Sequence, residues 1–464
     1  MKPHRLTRAA LLLAFTPCFG QVAAPALPTD EQLRRILVQR IDEAKLSVGI
    51  VVGIVSPAGR RVVAYGRRAK NDPRPLDGDT VFEIGSVTKV FTSLALMDMV
   101  QKGEVSLDDP VAKFLPDMVN VPGTPERKIT LRDLSTQTSG LPRMPSNFQP
   151  KDAKNPYADY TVEQMYAFVS GYTLTREIGE KYEYSNLGVG LLGQALATRG
   201  QTDYEGLVTQ RILKPLRMKD TVMTLTPRLR ERMAQGHNSA LSEVPNWDIP
   251  AMAGAGALRS TVNDLLTFLE ANLTLVPSPL ASAMAAQVSY RLPTGKAGLE
   301  IAYGWHVSSA EGKFIYWHNG QTGGYHSYLG YNPQTRVGVA ILSNTGSFTG
   351  VDDLGRHLLD PNSPLAKFTA PIVHQEIKLD TPALDRFTGR YQLAPDFVVT
   401  ITRKDSQLYA QATGQGAFEV FPESRTRLFA RVVEISIDLE LDAQNQVTGI
   451  VLHQGGRDVP GKRL

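Results

Sequence analysis

One cysteine in 464 residues, no apolar run of membrane-spanning length and almost no net charge each close off a class of function. Cys18 stands alone, so neither a disulfide framework nor a cysteine-rich zinc site can hold this chain together. Lysine and arginine number 50 against 46 acidic residues, and loss of Lys2, Arg5 and Arg8 with a leader reduces the excess to one. That balance leaves no electrostatic footprint for nucleic acid as a partner. No Gly-x-Ser-x-Gly elbow, His-Glu-x-x-His pair, internal repeat or low-complexity tract occurs, and no metal or organic cofactor is called for.

The first residues are informative by contrast. Lys2, Arg5 and Arg8 precede a short apolar run from Ala9 to Phe15, which Pro17 and small residues then interrupt. The run is too short to cross a bilayer and reads as an export signal over residues 1–24, cleaved after Gly20 or Ala24. The mature chain is therefore expected to be periplasmic or secreted, with no transmembrane segment and no cysteine. A chain this long can bury a large core without disulfides.

Two regimes of patterning follow. In residues 25–360 an amphipathic stretch from Asp30 to Leu46 leads into strands at Val48–Ser56 and Arg61–Tyr65, joined by the turn residues Pro57-Ala58-Gly59. Helical patterns fill the middle, among them Thr161–Val169, Leu187–Thr198, Tyr204–Leu213 and Val262–Asn272, the last with Thr261 and Asp264 placed for capping. Strand-like runs return at Ile301–Ser308, Lys313–His318, Tyr325–Tyr331 and Val337–Leu342. Strands at both ends with helices between predict an α/β domain, an antiparallel sheet flanked by helices and carrying a helical subdomain, closed by its two ends pairing. Residues 361–375 are proline-punctuated and read as a linker. Short alternating runs at Val398–Arg403, Gln407–Thr413, Arg427–Arg431, Ile435–Leu441 and Val447–His453 then predict a small barrel-like all-β domain over residues 376–464.

The chemistry concentrates between Phe82 and Gly103. Ser86 stands where an apolar strand-like run gives way to a helical pattern, with Val90, Leu94, Met97 and Val100 recurring on one face. A helix start favours negative charge developing on a nucleophilic oxygen. Lys89 lies one turn on, within reach of the Ser86 hydroxyl, in a segment otherwise poor in charge. A lysine there is expensive to desolvate unless it is used. Tyr184 and Asn186 precede the next helix, where either could serve as its cap. His318, Asn319 and Gly320 end a strand.

These three motifs in order, Ser86-Val87-Thr88-Lys89, Tyr184-Ser185-Asn186 and His318-Asn319-Gly320, resemble those of the serine β-lactamase and penicillin-binding superfamily, in its class C and DD-peptidase branch. Phe82-Glu83-Ile84-Gly85, Thr138-Ser139-Gly140-Leu141-Pro142 and Gln321-Thr322-Gly323-Gly324 extend the likeness, and the C-terminal region looks similar to an appended lipocalin-like domain. The resemblance implies a serine hydrolase in which Ser86 forms an acyl-enzyme. Either a neutral Lys89 or a Tyr184 phenolate takes its proton. It further implies an oxyanion hole from the backbone N–H groups of Ser86 and Gln321. Asn186 would orient Lys89 or a substrate amide, and His318, Asn319 and Gly320 would bind substrate.

Two departures bear on substrate. Lys-Thr-Gly, usual in β-lactamases, is replaced by His318-Asn319-Gly320, which removes a permanent charge used on the substrate carboxylate. The tyrosine-type second motif implies no deacylating glutamate of the class A kind. Hydrolysis of D-residue, cell-wall-type peptides is the expectation. The alternatives are an esterase or β-lactamase of the same superfamily, and a penicillin-binding sensor with little turnover.

Overall fold

The computed structural model describes residues 27–310, 312–347, 349–368, 374–394, 397–413, 416–431, 433, 435–454 and 457–464. The expected leader of residues 1–24 lies outside them.

An eight-stranded antiparallel sheet forms the first domain's backbone. In chain order its strands are β1 (Gly49–Ser56), β2 (Gly59–Gly66), β3 (Leu292–Pro293), β4 (Leu299–Ile301), β5 (His306–Ala310), β6 (Lys313–Gln321), β7 (His326–Asn332) and β8 (Val337–Ser343). Their order across the sheet is β2-β1-β8-β7-β6-β5-β4-β3. The two ends of the domain meet where β1 pairs with β8, Ile50 opposite Ser343 and Val55 opposite Gly338. Because side chains alternate along a strand, β1 feeds two cores. Val51 and Val55 join the larger one, and Ile50, Val52 and Ile54 join a second on the opposite face.

Helix α1 (Asp30–Val38) and a C-terminal helix, Asp352–Leu359, cover that second face; Thr29 starts α1 with a capping box closed by Gln32. The larger core holds α2 (Thr88–Gln101), α3 (Asn186–Arg199), α4 (Ala253–Gly256) and α5 (Val262–Asn272). The Thr261 hydroxyl accepts from the Asp264 N–H at 3.1 Å, so the expected cap of α5 forms. Helix α2 differs from a one-faced amphipathic helix, since every residue from Thr88 to Met99 is buried. It runs through the middle of the domain and ends before Gly103, whose φ of +70° suits a C-terminal stop.

The strand expected over Ile301–Ser308 is two strands, β4 and β5, broken by a turn at Gly304 with φ +76°. A Cβ at Gly304 would lie 2.8 Å from the Lys89 carbonyl oxygen and 2.7 Å from Ser93 Oγ, so the break lets the sheet approach α2.

Beyond this domain a closed antiparallel barrel runs through Gly389–Ala394, Phe397–Lys404, Gln407–Ala412, Phe418–Pro422, Arg427–Ala430, Ile435–Leu441, Val447–Gln454 and Arg457–Arg463. Five of these strands were legible as alternating runs. Gly389–Ala394 and Arg457–Arg463 carry little apolar alternation, and Phe418–Pro422 is short and ends in proline. The barrel closes because Tyr391 pairs with Arg463. Its interior is aliphatic, with Ile401, Leu408, Val420, Leu428, Ile437 and Ile450 among the buried residues.

Candidate active site

The site is built on a strand–turn–helix unit. Val81–Glu83 forms a short strand, Gly85 turns the chain with φ +47°, and Gly85–Val87 makes one 3₁₀ turn that leads into α2. From Thr80 to Met99 every residue is buried except Ser86, which is partly exposed. The unit therefore presents one hydroxyl to solvent and packs everything around it. Ser327 Oγ donates to the Ile84 carbonyl at 2.8 Å, and the Ile84 N–H donates to the Leu258 carbonyl at 3.0 Å, which fixes the turn from both sides.

Lys89 is 1 % exposed, and its Nζ lies 3.0 Å from Ser86 Oγ, 2.9 Å from Asn186 Oδ1 and 2.7 Å from the Ala255 carbonyl oxygen. Burial pushes its pKa well below the usual lysine value, and the positive charge of Arg143 pushes it further the same way. A neutral amine has two N–H donors and one lone pair. Asn186 and Ala255 take the donors, which leaves the lone pair for the Ser86 hydroxyl proton.

The third partner depends on helix packing. At Gly193 an added Cβ would sit 3.0 Å from Gly254 Cα, and at Gly190 it would sit 2.8 Å from the Met252 side chain. The small residues of α3 thus let α4 come close enough to aim the Ala255 carbonyl at Lys89. Thr92 Oγ1 donates to the neighbouring Gly254 carbonyl at 2.6 Å and ties α4 to α2.

Ser185, rather than Tyr184 or Asn186, caps α3: its hydroxyl accepts from the Gly188 N–H at 2.8 Å and donates to the Pro142 carbonyl at 2.6 Å. That frees the flanking side chains for the cleft. The Tyr184 ring faces the Lys89 side-chain nitrogen, 4.7 Å from ring centroid to Nζ. Burial raises the phenol's pKa above its ordinary value, only partly opposed by hydrogen bonding with Ser86 and by Arg143. Tyr184 therefore stays protonated.

Strand β6 forms the opposite wall. A Cβ at Gly320 would lie 2.0 Å from the Ile84 carbonyl oxygen and 2.9 Å from the Ser86 nitrogen, and one at Gly85 would lie 2.7 Å from the Gln321 nitrogen. Glycine at both positions lets the strand and the turn touch. The Ser86 and Gln321 nitrogens thereby both border the contact between strand and turn. Alternation along β6 then separates the third motif. His318 turns to the cleft, its ring centroid 6.2 Å from that of Tyr184. Asn319 turns away, and its Nδ2 donates to Asp352 Oδ2 at 2.7 Å, so its side chain anchors the strand outside the cleft.

His318 is buried, and its Nδ1 lies 2.6 Å from the Asn319 carbonyl oxygen. That contact puts the proton on Nδ1 and the lone pair on Nε2. Burial holds its pKa well below the ordinary value, so it is neutral.

Three further residues that the structure brings to this site escape sequence reasoning. Ala255 acts through its backbone, which leaves no residue-type signal. His306 packs 4.8 Å from His318 between ring centroids and meets the Tyr182 hydroxyl at 3.1 Å; burial brings its pKa down to about 4. Arg143 stands 5.0 Å over the Tyr184 ring, and its place directly after Thr138–Pro142 was the available signal.

Comparison with known proteins identifies the family. The family model described as Beta-lactamase matches residues 35–360, and one described as "Domain of unknown function (DUF3471)" matches residues 374–463. The D-alanyl-D-alanine-carboxypeptidase/endopeptidase AmpH of Escherichia coli (strain K12) is 30 % identical over 345 residues, covering 69 % of this chain and 86 % of that protein. Penicillin-binding protein 4* of Bacillus subtilis (strain 168) is 26 % identical over 418 residues, covering 85 % and 90 %. Among solved structures, a β-lactamase/D-alanine carboxypeptidase from Yersinia pestis complexed with citrate superposes with a TM-score of 0.60 at 24 % identity, covering 71 % of this chain and 97 % of that one. By this match and these relatives, the chain is a serine hydrolase that belongs to the β-lactamase family.

Proposed function

We propose that the protein is an exported hydrolase of D-residue, cell-wall-type peptides, acting through an acyl-enzyme on Ser86 with Lys89 as the base. The observation that carries the base assignment is the opposite displacement of the two candidates: burial lowers the Lys89 pKa and raises that of Tyr184. Ser86 Oγ attacks the carbonyl carbon while its proton passes to the Lys89 lone pair over the 3.0 Å contact. The oxyanion that forms accepts from the Ser86 and Gln321 N–H groups. Collapse breaks the carbonyl–nitrogen bond, and the leaving amine takes a proton handed on through the protonated Tyr184 hydroxyl. Water then repeats the attack on the acyl-enzyme with the same base, releasing the acid and restoring Ser86.

The carboxypeptidase name of a 30 % identical relative supports the substrate class, and a neutral His318 in place of a lysine argues against efficient β-lactam hydrolysis. The basic, apolar, small-residue leader supports export. A substrate panel tests the reading: D-Ala-D-Ala peptides, D-amino-acid amides, short esters and a cephalosporin. Turnover of the peptides above the rest is expected. Cephalosporin turnover above that of the peptides would instead make the protein a β-lactamase. A stoichiometric burst with no steady state on every substrate would make it a sensor.

A further inference from the structure

Burial works against charge on the groups around Ser86. Lys89, His306 and His318 all have pKa values pushed down by burial, and Tyr184 is held as the phenol. His318 in particular offers an acceptor nitrogen, since its proton is committed to the Asn319 carbonyl. An acceptor cannot bind a carboxylate. The position where a lysine would clamp an anionic substrate is therefore unable to do so.

Arg143 brings a cation to the cleft. Its guanidinium stands 5.0 Å over the Tyr184 ring, on which Lys89 Nζ also sits at 4.7 Å. Its charge acts on Lys89, Tyr157, Tyr182 and Tyr184 alike. Among the described residues the Arg143 side chain has no carboxylate within ion-pair distance and no hydrogen-bond partner, although it is exposed.

Its backbone is the reverse of free. The Arg143 carbonyl accepts from the Asn186 N–H at 3.0 Å, the preceding Pro142 carbonyl accepts from Ser185 Oγ at 2.6 Å, and Leu141 is fully buried. The chain thus holds Arg143 rigidly at the second motif and leaves its fork of donors unoccupied. A planar guanidinium, always charged and stacked on an aromatic face, is suited to bidentate capture of a carboxylate.

We propose that Arg143 is the specificity-determining residue of the cleft and receives the free carboxylate of the substrate, the role that His318 cannot fill. The inference rests on the acyl-enzyme reading above and narrows it to substrates whose scissile carbonyl lies close to a carboxylate. It makes Arg143 a contact for the substrate anion, with no part in proton transfer.

The test compares two thioesters of an N-acylated D-alanine, one with thioglycolate as leaving group and one with its methyl ester, in the full chain. Arg143→Gln is expected to lower the ratio of kcat/KM for acid over methyl ester about tenfold, mainly through KM for the acid. Arg143→Lys should recover part of that ratio, because it restores charge without the planar fork. Raising ionic strength should lower the same ratio in the natural protein and hardly move it in Arg143→Gln. The side chain is exposed, so folding is not at issue, and the ratio cancels any change in active fraction. A fall of less than threefold in Arg143→Gln overturns the proposal, as does an equal loss on both substrates. Thioester turnover with no peptide turnover would refute the peptidase reading while leaving this ratio readable.

Discussion

The two domains bury polar groups in different ways. In the first, Lys89, His306 and His318 lie in the interior with no carboxylate partner among the described residues, and burial displaces the pKa of each. In the barrel the interior is aliphatic, and ionisable groups sit outside in pairs, as where His453 meets Asp438 at 3.0 Å and Asp458 at 2.6 Å. Even the buried Tyr391 hydroxyl is satisfied locally, donating to the Phe387 carbonyl at 2.9 Å. An unpaired buried ionisable group costs stability, and a chain retains several together only where they are used. The contrast locates the chemistry in the first domain and leaves the barrel as a self-contained packing unit.

The most severe way to break the contrast is to remove the buried amine. Lys89→Met fills the space without a lone pair and is expected to slow acylation by roughly 10³-fold or more, at the upper part of the range for general-base loss. Stopped-flow acylation by an activated ester measures it; retention of the natural rate would shift the base role to Tyr184.

Closing the gap between β6 and the turn comes next. Gly320→Ala puts a methyl group against the Ile84 carbonyl and the Ser86 nitrogen, so strand and turn must part. The loss of one aligned oxyanion donor predicts a fall in kcat of about 10²-fold, with circular dichroism confirming a native fold. A kcat within twofold of the natural value would mean that the two N–H groups do not act together.

A smaller effect appears in stability. His306 has a folded pKa of about 4 against an ordinary 6.5, so the unfolded chain binds the proton first as pH falls. Stability from this residue is complete above pH 6.5 and is lost as pH drops toward 4, on the order of 2 kcal/mol by pH 4.5. His306→Gln should flatten that part of the urea-midpoint profile between pH 7 and 4.5. An unchanged slope would show that the ring is not buried neutral.

The smallest change is expected from deleting the barrel. A chain ending before residue 374 carries every motif, and its acylation rate should stay within about threefold, although newly exposed apolar surface can reduce solubility. Complete loss of acylation in a soluble, folded truncation would end the division of labour drawn here.

Much of this was legible in the residues themselves. Ser86 and Lys89 announce themselves because a one-turn spacing in an apolar helix has few other uses, and the cap of α5 follows from Thr261 and Asp264 at their spacing. What stayed hidden depends on backbone or on tertiary approach. Ala255 contributes only a carbonyl, and the break at Gly304 exists because the sheet must reach α2. Asn319 reads as a site residue by motif, yet strand alternation sends its amide to Asp352. The proposed choice of Lys89 over Tyr184 as base rests on burial, which no spacing provides.

The most direct test is to find where the acyl group goes. Incubation with an activated D-alanyl ester, acid quench and peptide mapping by mass spectrometry should place one adduct on the peptide containing Ser86 and none on any peptide of residues 374–464. Ser86→Ala, which costs the turn little more than a hydroxyl, should show no adduct anywhere. An adduct that persists in Ser86→Ala, or one that maps to the barrel, would contradict the account at its centre.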